Sequence, residues 1–194
     1  MQQLLLIKHS KLAYQLDFAV YFLLIAGITA YLIASPKQLS TFSMLVCILL
    51  GSLSWTLIEY LLHRWVLHQW PPFSAWHAEH HRQPDALICT ATVVSLGTIA
   101  LTVYLPLYWG VSPAVAICFT LGLLIGYLAY AVTHHAIHHW PHPGMPWLKT
   151  RQRIHRRHHR FPEHGFGVTT TVWDHVLGTS APPAAGKSIR SSIN

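Results

Sequence analysis

The sequence predicts an all-α fold: an integral membrane, four-helix transmembrane bundle with a cytoplasmic helical cap that holds clustered histidines. Three observations predict it. The 194 residues are 52% hydrophobic and only 10% charged, the balance of a membrane protein rather than a soluble one. The apolar residues gather in four long runs, each near the roughly 20 residues that cross a bilayer core. The polar remainder is dominated by histidines that stand directly after or before those runs.

The elements follow in order. Residues 1–17 form a short amphipathic lead carrying Lys8 and Lys11, placed on the cytoplasmic side. Phe18 to Ser35 is apolar and uncharged and reads as the first span. No small-residue cleavage site followed by a soluble domain marks it as a signal peptide. Pro36 and Lys37 make a tight turn, and the second span runs from Leu39 to Leu62 with one carboxylate, Glu59, near its end. Pro71 and Pro72 break the helix before a short histidine-bearing segment that Pro84 and Asp85 close. Ala86 to Trp109 is the third span, Gly110 and Pro113 mark a turn, and Ala114 to Val132 is the fourth. Gly122 and Gly126 stand four apart in it, a spacing that permits close helix approach. Residues 18–180 read as the membrane domain and 181–194, rich in Pro, Ala, Gly and Ser, as a flexible tail.

Charge fixes the orientation. An even number of spans puts both termini on one side. Of the 13 Lys and Arg residues only Lys37 falls on the other side, so the termini are expected in the cytoplasm. The net charge of +7 is thus a membrane-orientation signal and not a nucleic-acid footprint. Trp65, Trp70, Trp76, Trp140 and Trp147 crowd the same level as an interfacial belt would. Cys47, Cys89 and Cys118 lie singly in apolar runs without motif spacing, so no disulfide framework or thiolate metal site is indicated.

The histidines carry the chemistry. Ten of the 16 fall in four clusters: His63 with His68, His77 with His80 and His81, His134 with His138, and His155 with His158 and His159. By the span count all four share one side of the membrane. His77/His81, His134/His138 and His155/His159 are i, i+4 pairs, about 40° apart on a regular helix, so each pair can aim at one place. His80 and His158 sit at i+3 and can reach a second. His63 and His68 differ by five, about 140° around a helix. Either the helix unwinds there or the two serve opposite sides of the site. Neutral imidazole is a common ligand for iron and zinc, and ten donors suit two ions rather than one. Glu59 stands one turn before His63, where its carboxylate can orient the ring. His9, His142 and His175 read as solvated surface residues, and His135 and His139 lie on another helical face.

The order HxxxxH, HxxHH, HxxxH, HxxHH resembles the fatty acid hydroxylase/sterol desaturase superfamily of membrane di-metal oxygenases. Here it reads His63-Arg-Trp-Val-Leu-His68, His77-Ala-Glu-His80-His81, His134-His-Ala-Ile-His138 and His155-Arg-Arg-His158-His159. The segment from Gly165 to Thr179, with Trp173, Asp174 and Gly178, is similar to that superfamily's closing signature. The likeness covers about Leu39 to Thr179. It implies a fatty acid hydroxylase-like membrane domain, two iron ions held by the ten clustered histidines (zinc being possible after purification), O2 as co-substrate and a lipid substrate taken from the bilayer. It also implies an electron donor, expected as a separate ferredoxin or cytochrome b5-like protein because no haem domain precedes the spans. His164 departs from the family pattern, as a substitute donor or a surface residue.

The expected activity is hydroxylation of a lipid C–H bond, foremost in a fatty acyl chain. Carotenoid ring hydroxylation and sterol-type desaturation are the alternatives within the superfamily. A metal transporter or metal-binding membrane protein is the alternative of another class. A transport path would place ionisable groups near mid-membrane, and the span interiors offer none.

Overall fold

The structure is a computed structural model, and it describes residues 10–180 apart from residues 37, 89, 142 and 143. His9, Lys37, Cys89, His142, the first nine residues of the lead and the 181–194 tail lie outside the described residues. Seven helices organise the rest: α1 (Lys11–Ala34), α2 (Thr41–Leu67), α3 (Phe73–Arg82), α4 (Thr92–Gly110), α5 (Pro113–His139), α6 (Pro146–Arg160) and α7 (Val172–Val176). Four of them, α1, α2, α4 and α5, are long and apolar enough to cross a membrane.

Serines start three of the spanning helices. Ser10 accepts a hydrogen bond from the Ala13 amide, Ser40 from that of Ser43 and Ser112 from that of Val115, each satisfying a first-turn N–H that the helix itself cannot. The first cap places the start of α1 seven residues before the expected Phe18, so residues 11–17 of the lead belong to the helix. Conversely, α4 starts at Thr92, later than the expected Ala86. Residues 83–88 instead make short turns, with Ala86 N–H donating to Gln83 O and Ile88 N–H to Ala86 O. The turn before Pro106 is π-helical, Ala100–Tyr104; a widened turn accommodates the N–H that proline lacks.

The frame of the bundle is the pair α2 and α5, the most extensive helix contact in the molecule. Glycines set its spacing. A Cβ at Gly122 would overlap the Ile48 carbonyl, one at Gly51 the Phe119 carbonyl, and one at Gly126 the Trp55 side chain. The close approach that the Gly122/Gly126 spacing permits is therefore realised. Around it Tyr21, Trp55, Ile99, Leu123 and Leu124 form a buried core that joins all four spanning helices. Tyr21 stacks on Tyr127 at 4.3 Å and bonds Ser95, which ties α1 to α5 and α4.

At one end of the bundle α2 and α5 continue past their apolar stretches and carry histidines, and α3, α6, α7 and the 161–171 loop pack over them. A second core of Ala136, Ile137, Leu148 and Val168 fastens α6 and the loop to the end of α5. Gln152 completes the joint by donating to Trp140 O at 2.7 Å.

Adding a side chain at Gly122 should separate α2 from α5. Gly122→Ala is expected to destabilise the protein by about 2 kcal/mol, as overpacking does, while Gly27→Ala, where nothing lies within 4 Å, should change little. Thermal unfolding of the detergent-solubilised variants checks the contrast.

Candidate metal centre

The ten clustered histidines meet in one place and divide into two groups. His63, His68, His77, His81 and His158 form the first, each offering a ring nitrogen within 4.8 Å of the others. His80, His138, His155 and His159 form the second on the same terms. His134 adjoins this second group, its Nε2 3.2 Å from that of His155 and its ring 4.7 Å from His138 and 4.8 Å from His80.

Helix periodicity explains the division. On α3 the i, i+4 pair His77/His81 faces the first group while His80, at i+3, faces the second. On α6 the assignment is reversed: His155/His159 face the second group and His158 the first. Each triplet thus gives two nitrogens to one group and one to the other. His63 sits in a π-helical turn, Leu62–Leu67, and His68 is the residue that ends it. That wider turn, with its i→i+5 bonding, brings residues five apart onto one side, and the two rings stack 5.1 Å apart. The helix widens, and both rings serve the same group.

The nitrogens crowd one another at hydrogen-bond distance. In the first group His63 Nε2 lies 2.9 Å from His77 Nε2, His81 Nε2 3.0 Å from His77 Nε2, and His68 Nε2 3.1 Å from His158 Nε2. In the second, His155 Nε2 lies 3.0 Å from both His138 Nε2 and His159 Nε2. His155 Nε2 has three such neighbours and His77 Nε2 has two; a ring nitrogen carries either one proton or one lone pair and cannot satisfy them all, whereas a cation between them can. Donors at right angles around an ion, with bonds of about 2.1 Å, would be about 3.0 Å apart. Both ring nitrogens of His80 are buried without a hydrogen-bond partner, an arrangement whose cost a bound ion removes. The residues fit two metal ions, and a set of neutral imidazoles suits iron or zinc.

The outward nitrogens fix the rings. His63 Nδ1 donates to Phe166 O at 2.5 Å and His158 Nδ1 to His164 O at 2.8 Å. A carbonyl there forces the proton onto Nδ1 and leaves Nε2 as the free ligand. His164 therefore acts through its main chain, and its ring is not among the packed imidazoles. Glu59 does not hold His63 directly, contrary to the sequence expectation. It is 3% exposed and its carboxylate accepts from Val168 N–H at 2.6 Å, Thr169 N–H at 2.9 Å and the Thr169 hydroxyl. The reason is that the loop offers three donors, whereas the His63 Nδ1–H is already taken by Phe166 O.

That loop is built by the closing segment. The buried Asp174 carboxylate accepts from Phe166 N–H and the Thr179 hydroxyl at 2.8 Å and from Gly167 N–H at 2.9 Å. Gly165 and Gly178 adopt left-handed φ of 73° and 67°, where L-side chains are strained. Gly167 has no room for a Cβ beside Thr170 O. Tyr60 bonds Thr179 at 3.0 Å and receives Arg64 at 2.8 Å, which locks the segment to α2. Phe166, His164, Glu59 and Asp174 thus position histidines that the spacing alone had identified. The sequence signal was the segment Gly165 to Thr179 itself.

Burial sets the electrostatics. It pushes His155 and His77 well below the ordinary imidazole range, and neighbouring imidazoles add to the effect. Burial likewise lowers His68 to about 4, His158 and His159 to about 3 and His80 to about 2. The rings are neutral at pH 7, the form that binds metal.

The remaining histidines stand apart. His135 stacks on His139 at 4.6 Å and bonds Tyr14 at 3.2 Å, facing α1. The exposed His175 donates from Nδ1 to Thr171 O.

Comparison with known proteins gives concordant results. A family model for fatty acid hydroxylase matches residues 48–179, which contain all ten histidines. The dihydroceramide fatty acyl 2-hydroxylase FAH2 of Arabidopsis thaliana is 31% identical over 156 residues, covering 76% of this chain and 65% of the relative. The fatty acid 2-hydroxylase of Rattus norvegicus is 33% identical over 148 residues, covering 70% of this chain and 40% of the relative. This chain spans less than two thirds of the length of both. The solved structure of full-length scs7p, in which only the hydroxylase domain is visible, superposes with a TM-score of 0.75 at 26% identity, covering 91% of this chain and 70% of that one.

Two outcomes are expected. Unfolded imidazoles take up protons below about pH 6.5, whereas the folded ones resist until far lower. Acid therefore favours unfolding. The melting temperature of metal-free protein should be level above pH 7 and fall steadily from about pH 6.5 toward pH 3; a level curve down to pH 4 would contradict the neutral, buried state. Asp174→Asn turns an acceptor into a donor against Gly167 N–H. It should cost about 3 kcal/mol and lower metal content although no ligand is touched, as elemental analysis and thermal unfolding can read.

Proposed function

Because this chain belongs to the fatty acid hydroxylase family, we propose that it is a membrane-bound hydroxylase that uses two iron ions and O2 to hydroxylate a fatty acyl chain. The observation that carries this reading is the pair of converging imidazole groups at the end of a membrane-spanning bundle. The names of the relatives direct it to carbon 2 of the acyl chain, beside the carbonyl.

The first iron falls to His63, His68, His77, His81 and His158, the second to His80, His134, His138, His155 and His159. Bound together, the irons and O2 supply the oxidising power that an unactivated C–H bond requires. One oxygen atom would enter the C–H bond and the other leave as water, with two electrons delivered one at a time by a separate ferredoxin or cytochrome b5-like donor and two protons from solvent. The chain's own residues do the rest. The carbonyls of Phe166 and His164 aim His63 and His158. Burial keeps the imidazoles neutral and limits water. The position at the ends of α2 and α5 lets a lipid enter from the bilayer while the donor approaches from the aqueous side. The excess of Lys and Arg on the histidine side supports a cytoplasmic location for that side and both termini.

Protein reconstituted in membranes with O2, a reduced donor and fatty acyl or ceramide substrate should form a 2-hydroxy product, read by mass spectrometry. Elemental analysis should find near two metal ions per chain. His158→Ala should lose metal and more than a hundredfold of turnover, and His175→Ala should keep both. Product without O2, or full activity in His158→Ala, would overturn the reading. Labelling in a cysteine-free background tests the orientation: Lys37→Cys should react from outside intact cells, and Arg190→Cys only after permeabilisation.

A further inference from the structure

Helix α6 carries a second recognition surface on a face away from its histidines. With about 100° per residue, His155, His158 and His159 share one side of α6. Lys149, Arg153 and Arg156 lie about a third of a turn away from them. These three cations, with Thr150 and Gln152, line a cavity of about 610 Å³ walled on its far side by Pro141 and Gly144. All three cations are exposed. Among the described residues no carboxylate lines the cavity and none pairs with them. Its floor is rigid. Buried Gln152 donates to Trp140 O at 2.7 Å, and Arg156 Nε donates to Gln152 O at 3.2 Å.

The level of the cavity decides what it faces. Its wall begins two residues after the end of the spanning helix α5, at the end of the bundle where the sequence gathers its Lys and Arg. Trp140 precedes its wall residues in sequence and Met145 and Trp147 follow them, and the three remain 44%, 52% and 51% exposed. Tryptophan at such a place sits among headgroups and glycerol backbones. A basic pocket at this depth selects negatively charged headgroups, and guanidinium groups bind phosphate in a directed fashion.

The geometry points to a binding site for the phosphate of an anionic membrane lipid, with Lys149, Arg153 and Arg156 holding the phosphate. An acidic protein would satisfy the charges as well, but exposed Trp140 and Trp147 beside the end of a helix apolar enough to cross a membrane favour a lipid. The site needs no turnover, so its test is separate from that of the hydroxylase reading.

The experiment uses the full chain in neutral detergent, titrated with short-chain phosphatidylserine, short-chain phosphatidylcholine or inorganic phosphate, with thermal unfolding as the readout. Phosphatidylserine should raise the melting temperature at concentrations at least tenfold lower than phosphatidylcholine, and the effect should weaken with salt. Arg153→Gln should weaken that binding about tenfold and Lys149→Gln/Arg153→Gln further. Arg160→Gln, outside the cavity, should not. Metal content equal to wild type shows that each variant is folded, and a variant without it is replaced by Arg153→Lys, expected to bind between wild type and Arg153→Gln. Equal response to the two lipids, or equal binding by the cavity variants and Arg160→Gln, overturns the proposal. Inorganic phosphate acting at the same concentration as phosphatidylserine overturns the lipid as its source. Retention on polyglutamate together with indifference to phosphatidylserine overturns it in favour of an acidic protein.

Discussion

Nine of the ten clustered imidazoles hold a ring nitrogen about 3 Å from another's, the tenth, His80, is buried among them, and the structure around them answers to that crowding. Buried nitrogens with more neighbours than single protons can bridge are costly in the absence of cations. The arrangement persists only if other contacts over-determine each ring. The contacts are main-chain carbonyls, for His63 and His158, and dense packing for the others, as in the parallel stack of His81 on His159 at 4.3 Å. The carbonyls are in turn held by two buried carboxylates, Asp174 and Glu59. A chain of positioning runs from these acids through the loop backbone to the ring nitrogens, and no member of it is dispensable to the next.

The membrane bundle supplies the other half of the support. Glycine contacts bring the backbones of α2 and α5 together, so the helix ends that carry His63, His68, His134 and His138 emerge side by side. A metal centre whose ligands come from four helices requires those ends to be fixed relative to one another. Rigid packed elements do this better than loops. The second core, of Ala136, Ile137, Leu148 and Val168, then registers α6 against the bundle.

Helix α6 shows how one amphipathic helix can serve two tasks. Its histidine face is buried against the other clusters, and its basic face is exposed. The arginines between the histidines in sequence are thus separated from them in space by helical periodicity. This removes the cations from a site that could hold metal ions. Arg151 is the exception, half-buried on the histidine side, and burial lowers its pKa while Glu59 and Asp174 offset that.

The sequence by itself determined the four spans, their turns and the ten histidines. Hydrophobic run length, proline and glycine breaks and i, i+3, i+4 spacing are local properties that need no partner to be read. The division of each triplet between two groups was also legible, because a regular helix fixes the angle between its residues. Tertiary structure alone decided the rest. The π turn at Leu62–Leu67 is a small departure from α-helical hydrogen bonding that adjacent packing selects, so the common aim of His63 and His68 stayed open in the sequence. Glu59 was assigned to the wrong partner, since a carboxylate four residues from a histidine is a local fact, whereas the amides of Val168 and Thr169 arrive from more than a hundred residues away. The positive-φ glycines and Asp174 gave a recognisable string of residues, but their purpose depends on a folded loop. A main-chain carbonyl has no sequence signature, and it is carbonyls that set the tautomers of His63 and His158.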